Sequence, residues 1–122
     1  MSINRVCIIG RLTRQPELRV SPNGVSVTTF TLAVDRRPDK SGQKEADFID
    51  IVVFGNTAEA ICRHLDKGSL VAVEGRIQTR SYETKDGQRR KVFEIIGDNV
   101  QFLTPKAKSQ ESQGEPGDDQ YE

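Results

Sequence analysis

Between Lys67 and Tyr82 apolar and polar residues alternate at a period of two. Val71, Val73, Gly75 and Ile77 share one parity, and Glu74, Arg76, Gln78, Arg80 and Tyr82 share the other. Such alternation predicts a strand with an apolar back and a wet front. Upstream, residues 3–12 (INRVCIIGRL) are β-branched and apolar, which predicts a first strand, with Gly10 marking a bulge or a close approach. Ser21-Pro22-Asn23-Gly24 is a turn, because proline presets one φ and Asn-Gly accepts positive φ. A second strand follows over 25–34, with Phe30, Leu32 and Val34 on one side, and then a charged loop from Asp35 to Glu45.

The third strand, 46–54, sets Ile49, Ile51 and Val53 against Phe48, Asp50, Val52 and Phe54. An aspartate between two phenylalanines argues that the second face is not the main core. Asn56 as N-cap with Glu59 reaching back predicts a helix start. Ile61 and Leu65 give that helix its apolar stripe and Gly68 its C-terminal cap, for about three turns. Lys85-Asp86-Gly87 turns the fourth strand into a fifth over 92–103, whose apolar parity switches between Phe93/Ile95 and Val100/Phe102. That switch predicts a bulge near Gly97.

Three strands, one helix and two strands predict an all-β fold with one helix, a small antiparallel barrel that closes its own edges. A five-stranded oligonucleotide/oligosaccharide-binding (OB) barrel, with its helix between strands 3 and 4, has this order. Fold alone does not assign function.

Composition changes the picture in three places. With 122 residues the chain is long enough for one small core, assigned to 1–104, while KAKSQESQGEPGDDQYE beyond Pro105 cannot bury a core and reads as a disordered acidic tail over 105–122. The net charge of zero divides unevenly: 16 Lys+Arg against 13 Asp+Glu in residues 1–104, and two against five in 105–122. A basic body with an acidic tail hints at nucleic-acid work. Finally, two cysteines without metal-ligand spacing and a single histidine argue against a metal site. Cys7 and Cys62 read as buried packing thiols and His64 as a helix-surface residue. No signal peptide or transmembrane run is visible, so the expected location is the cytoplasm.

The candidate chemistry is therefore binding. Phe48, Phe54 and Tyr82 read as an exposed aromatic platform, with Arg76 and Arg80 on the parity of Tyr82. Arg36 and Arg37 in one hairpin and Arg89 and Arg90 in the other suggest a phosphate clamp. Arg5, Arg11, Arg14 and Arg19 lie along the first strand and its extension, where some line the groove. Phe30, Phe93 and Phe102 are assigned to the core. Basic groups beside exposed rings suit single-stranded nucleic acid. No nucleophile, base pair of carboxylates, phosphate loop or metal helix points to an enzyme, and no cofactor is expected. Two other readings stay open on these residues: an RNA-binding barrel, and an interaction barrel in which Phe48 and Phe54 bury against another subunit.

The segments NRVCIIGRLTRQPELR, SPNG, FTLAV, DFIDIVVFG, KGSLVAVEGRIQTRSYE and VQFL, in this order over about residues 3–104, resemble the bacterial single-stranded-DNA-binding proteins. The resemblance implies an OB barrel, a homotetramer, and sequence-independent binding of single-stranded DNA in replication, recombination and repair. It also implies base stacking at Phe48, Phe54 and Tyr82. This chain has no tryptophan, which is frequent at two of these positions in some members, and carries Arg37-Pro38 where many place a further stacking aromatic. The family's acidic tail recruits replication and repair proteins through a terminal Ile-Pro-Phe. Here the tail reads GDDQYE, which keeps the charge without the hydrophobic tip.

Overall fold

The computed structural model describes residues 1–104; the tail assigned to 105–122 lies outside the described residues. Six strands and one helix follow in the order β1 (Val6–Leu12), β2 (Glu17–Val20), β3 (Ser26–Asp35), β4 (Ala46–Phe54), α1 (Asn56–His64), β5 (Leu70–Glu83) and β6 (Arg89–Phe102). The sheet order is β1-β5-β6-β4-β3-β2, and β1 also pairs with β3, which closes a barrel. The five-strand plan is retained. The sixth strand, β2, lies beyond the predicted first strand, in residues 17–20, to which the sequence pattern assigns no strand. It pairs with β3, while β1 pairs with β5 and, at Arg11 and Leu12, with β3.

Closure needs a position without a side chain. At Gly10 a Cβ would lie 2.7 Å from the carbonyl oxygen of Ala33, so glycine lets β1 cross from β5 to β3. Two more glycines face each other where β5 bends over β6. A Cβ on Gly75 would sit 2.0 Å from the carbonyl oxygen of Ile96. The ladder slips at this point: Glu74 pairs with Asn99 but Gly75 pairs with Gly97, leaving Asp98 as the extra residue. This is the bulge that the parity switch predicts, and it lets Ile95 and Val100, of opposite parity, both pack on the core.

The core joins the inward residues of β1, β3, β4, β5 and β6 to α1. Phe30, Leu32, Ile51, Val53, Val71 and Val73 are buried together with Ala58, Ile61 and Leu65 of the helix. Each of the larger side chains contributes roughly 1.5–3 kcal/mol on burial. The helix begins one residue earlier than predicted: Gly55, at φ 78°, is the N-cap and no side chain caps it. Its positive φ is what turns the chain out of β4, a conformation that disfavours any other residue. Glu59 does not reach back but accepts the Ser26 hydroxyl at 2.7 Å, tying α1 to β3. At the other end Leu65 in extended conformation is the C-cap, and Gly68 belongs to the turn into β5, donating its N–H to Leu12.

Four inward assignments fail, beginning with Ile77 on the apolar back of β5, which is 46% exposed. Phe93 is 65% exposed and Phe102 39% exposed. Phe93 does keep the core parity, opposite Thr79, but the β5–β6 hairpin runs out past the barrel, where no other strand covers that face. Phe102, opposite Val71, sits at the rim with its ring centroid 6.3 Å from that of His64. Cys7 is exposed too, because Val6, Ile8, Gly10 and Leu12 take the inward parity of β1. Cys62 is partly buried and donates to the Thr28 hydroxyl at 3.4 Å.

Candidate nucleic-acid interface

The outward parity of β3, β4, β6 and β5 forms one continuous face. Its register can be followed strand by strand: Glu17, Thr29, Val52, Ile96 and Arg76 are consecutive partners across β2, β3, β4, β6 and β5. Phe48 and Phe54 project from this face at the two ends of β4, 68% and 49% exposed, and Tyr82 from the outer part of β5, 48% exposed. Three aromatic side chains thus share the solvent side of one sheet. Inside a monomer this much exposed ring has no packing role, since Phe30 already fills the core.

The barrel supplies each ring of β4 with an arginine that strand periodicity alone does not assign. Ala33 pairs with Phe48 on one side and with Arg11 on the other. Val27 pairs with Phe54 on one side and with Arg19 on the other. Each cation is therefore two strands from its ring, about 10 Å across the ladder. Arg11 also donates to the carbonyl of Gly68 at 3.0 Å.

Two carboxylates within the face are occupied. Asp50 accepts the Thr31 hydroxyl at 2.8 Å. Glu94, largely buried, accepts Nε of Arg80 at 3.1 Å. Arg76, in contrast, makes no ion pair or side-chain hydrogen bond among the described residues. The face therefore presents an uncommitted cation in its middle and a committed one nearer Tyr82.

The two basic hairpins do come to one end of the molecule. β4 and β6 pair in parallel, Ile51 with Ile95, so the loop before β4 and the turn before β6 lie on the same side. Arg89 pairs with Glu83 and Arg90 with Tyr82 in the β5–β6 ladder, and Arg37 is exposed in the β3–β4 loop. Arg36 is engaged by its own loop, with Asp47 at 2.7 Å and Glu45 at 2.9 Å. The hydrogen bond and charge of Asp47 hold Arg36 more firmly protonated, and Arg36 in turn holds the Asp47 carboxyl below its ordinary value. Hydrogen bonds from Ser41 do the same for Asp39, and from Thr84 for Asp86 at the other tip. Of the remaining first-strand arginines, Arg5 is drawn to the bulge residue Asp98 at 3.1 Å.

Among the described residues no group of three His, Cys, Asp or Glu could hold a metal ion, and no helix is long and apolar enough to cross a membrane. What the arrangement offers is surface: rings for planar groups, guanidinium for anions.

Residues 3–103 match the Single-strand binding protein family. Single-stranded DNA-binding protein 2 of Staphylococcus aureus is 57% identical over 105 residues, covering 85% of this chain and 74% of the relative. The single-stranded DNA-binding protein of Clostridium tetani is 57% identical over 102 residues, covering 83% and 70%. Among solved structures, the Plasmodium falciparum SSB in complex with single-stranded DNA superposes with a TM-score of 0.77 at 30% identity, covering 85% of this chain and 97% of that one.

Proposed function

This chain belongs to the Single-strand binding protein family, and from that membership we propose that it binds single-stranded DNA irrespective of sequence and protects it in replication, recombination and repair. The observation that carries the reading is the single outward face on which Phe48, Phe54 and Tyr82 stand exposed around Arg76. Base stacking on such rings is worth ~1–3 kcal/mol per base, and every base offers a π-face, so sequence preference is slight. Duplex DNA hides those faces. The family relatives and the structural neighbour, named for the same ligand, support the reading.

In this mechanism Phe48, Phe54 and Tyr82 stack on bases. Arg11 and Arg76 meet phosphates beside the rings, and Arg37, Arg89 and Arg90 meet them at the hairpin end. Arg80 and Arg36 contribute after sharing their charge with Glu94 and Asp47. Phosphate neutralisation releases counterions, with a salt slope of about −0.7 per contact on a single strand. The working form is a homotetramer, supported by the exposed core-parity side of the hairpin at Ile77 and Phe93, apolar surface suited to a second copy. Recruitment of replication and repair proteins would fall to the acidic residues 105–122. The place of work is the cytoplasm, on the nucleoid.

The deciding experiment is a titration of labelled oligo-dT at low and high salt, with an equal-length duplex and a matched RNA alongside. Tight, salt-dependent binding to the DNA single strand alone is expected. Equal binding to the duplex would mean that only backbone charge is read, and a preference for the RNA would transfer the function to that ligand.

A further inference from the structure

We propose that Arg14 and Arg19 form a phosphate subsite that carries the bound strand from Phe54 across β3 onto the β2 edge. The inference rests on the single-strand reading above and extends its path. It starts from a cleft of about 370 Å³ lined by Arg14, Gln15, Glu17, Arg19, Val27 and Thr29, where the β1–β2 break meets the outer face of β3. Register ties this cleft to the ring: Arg19 pairs with Val27, and Val27 pairs with Phe54.

The first strand and its extension supply four arginines, and their partners separate them. Arg5 is drawn to Asp98 and Arg11 donates to Gly68. Arg14 and Arg19 make no ion pair or side-chain hydrogen bond among the described residues. Two uncommitted guanidinium groups against the single carboxylate of Glu17 leave the cleft positive by one charge. A guanidinium presents a planar fork of donors that matches phosphate oxygens. The Val27 and Thr29 side chains form the wall on the β3 side, and both face outward beside Phe54 and Val52. A backbone leaving a base stacked on Phe54 meets this cleft next, about two strand spacings away.

The geometry also explains why the break in the first strand matters. Were β1 to run on unbroken, residues 14–19 would continue its ladder, with no concavity between β2 and β3. Because β1 and β2 are separate strands, Arg14 and Gln15 between them line one cleft with Glu17 and Arg19 of β2.

The test is the salt dependence of oligo-dT binding by the full chain carrying Arg14→Gln and Arg19→Gln, with Arg5→Gln as the control. Both positions are exposed, and unfolding curves of all three proteins should coincide. Loss of two contacts is expected to reduce the magnitude of the log K against log salt slope by about 1.4, at about 0.7 per phosphate. The Arg5→Gln slope should stay at that of the unaltered protein. An unchanged slope in the double variant, or an equal reduction per residue in Arg5→Gln, would overturn the subsite while leaving the ring face intact. Failure of the unaltered protein to prefer single-stranded DNA would instead overturn the proposed function, and the subsite with it.

Discussion

Nε of Arg80 donates to Oε1 of Glu94 at 3.1 Å, joining a guanidinium that is more than half exposed to a carboxylate only 9% exposed. The pair is asymmetric: solvent can replace the carboxylate for Arg80, but nothing replaces the cation for Glu94. Arg80→Ala should therefore lower stability by about 1–3 kcal/mol, the cost of leaving a buried polar group unsatisfied. Adding Glu94→Gln should recover most of it. Glu94→Gln alone releases Arg80 and should steepen the salt slope for oligo-dT by about 0.7. Urea unfolding and salt titrations of the three variants check both halves, and an Arg80→Ala protein as stable as the parent would contradict the first.

The rings should separate binding from stability. Phe48→Ala, Phe54→Ala and Tyr82→Ala are each expected to weaken oligo-dT binding by ~1–3 kcal/mol, with little change in unfolding free energy. Phe30→Ala, at a fully buried position, should cost about 3–5 kcal/mol of stability. If instead the Phe48 and Phe54 variants dissociated the oligomer and bound DNA normally, the rings would be packing residues between subunits.

Glycine-to-alanine substitutions should rank by what the new methyl meets. Gly75→Ala meets a backbone oxygen at 2.0 Å and should cost about 3 kcal/mol or more; Gly10→Ala, at 2.7 Å from one, should cost somewhat less. Gly97→Ala meets the side chains of Val73 and Val53 at 3.1 and 3.2 Å, which can shift by tenths of an ångström, and should be the mildest of the three. Denaturant midpoints compared at constant m-value give the order, and a Gly97 variant less stable than Gly75→Ala would refute it.

Acid should loosen the loops only below the ordinary carboxylate range. Asp39, Asp47 and Asp86 all titrate below the ordinary value, held down by Ser41, Arg36 and Thr84 respectively. A depressed folded value means that the stabilisation is complete above the unfolded value of about 3.9 and disappears as the pH falls through the folded value. Carboxylate chemical shifts followed downward from neutral pH should show midpoints below that of an unstructured aspartate. Protonation of Asp47 also removes the shorter of the two ion pairs of Arg36, so the β3–β4 loop should loosen together with that midpoint. Midpoints at or above the unstructured value would remove the ion pair from the account.

Strand parity made much of this molecule legible. The alternation in β4 separates Phe48 and Phe54 from Ile49, Ile51 and Val53, and the structure keeps that separation. The parity change in β6 likewise marks the bulge at Gly97. What parity cannot convey is where a covered face ends. Phe93 has inward parity and lies bare, because its exposure depends on how far the hairpin outruns its neighbours. Nor can it convey which strands become neighbours when a barrel closes. Arg11 is on the ring side only because β1 pairs with β3 at closure, Arg11 with Ala33, a contact between strands that are not consecutive in the chain. Helix capping misled for a local reason: Asn56 is a good N-cap residue, but the positive φ required to leave β4 falls at Gly55.

Phe48 and Phe54 are six residues apart on one extended strand, which makes β4 a ruler of about 20 Å between ring positions. At 3.4 Å per stacked base that length equals roughly six base steps. A DNA segment coiled into a hairpin cannot lay its bases along such a ruler at both marks. To engage the two rings at once it has to be drawn out, while the strand that carries them, hydrogen-bonded on both sides, does not shorten to meet it. If the two rings stack bases as proposed, the work of straightening a folded strand falls on the nucleic acid and not on the sheet.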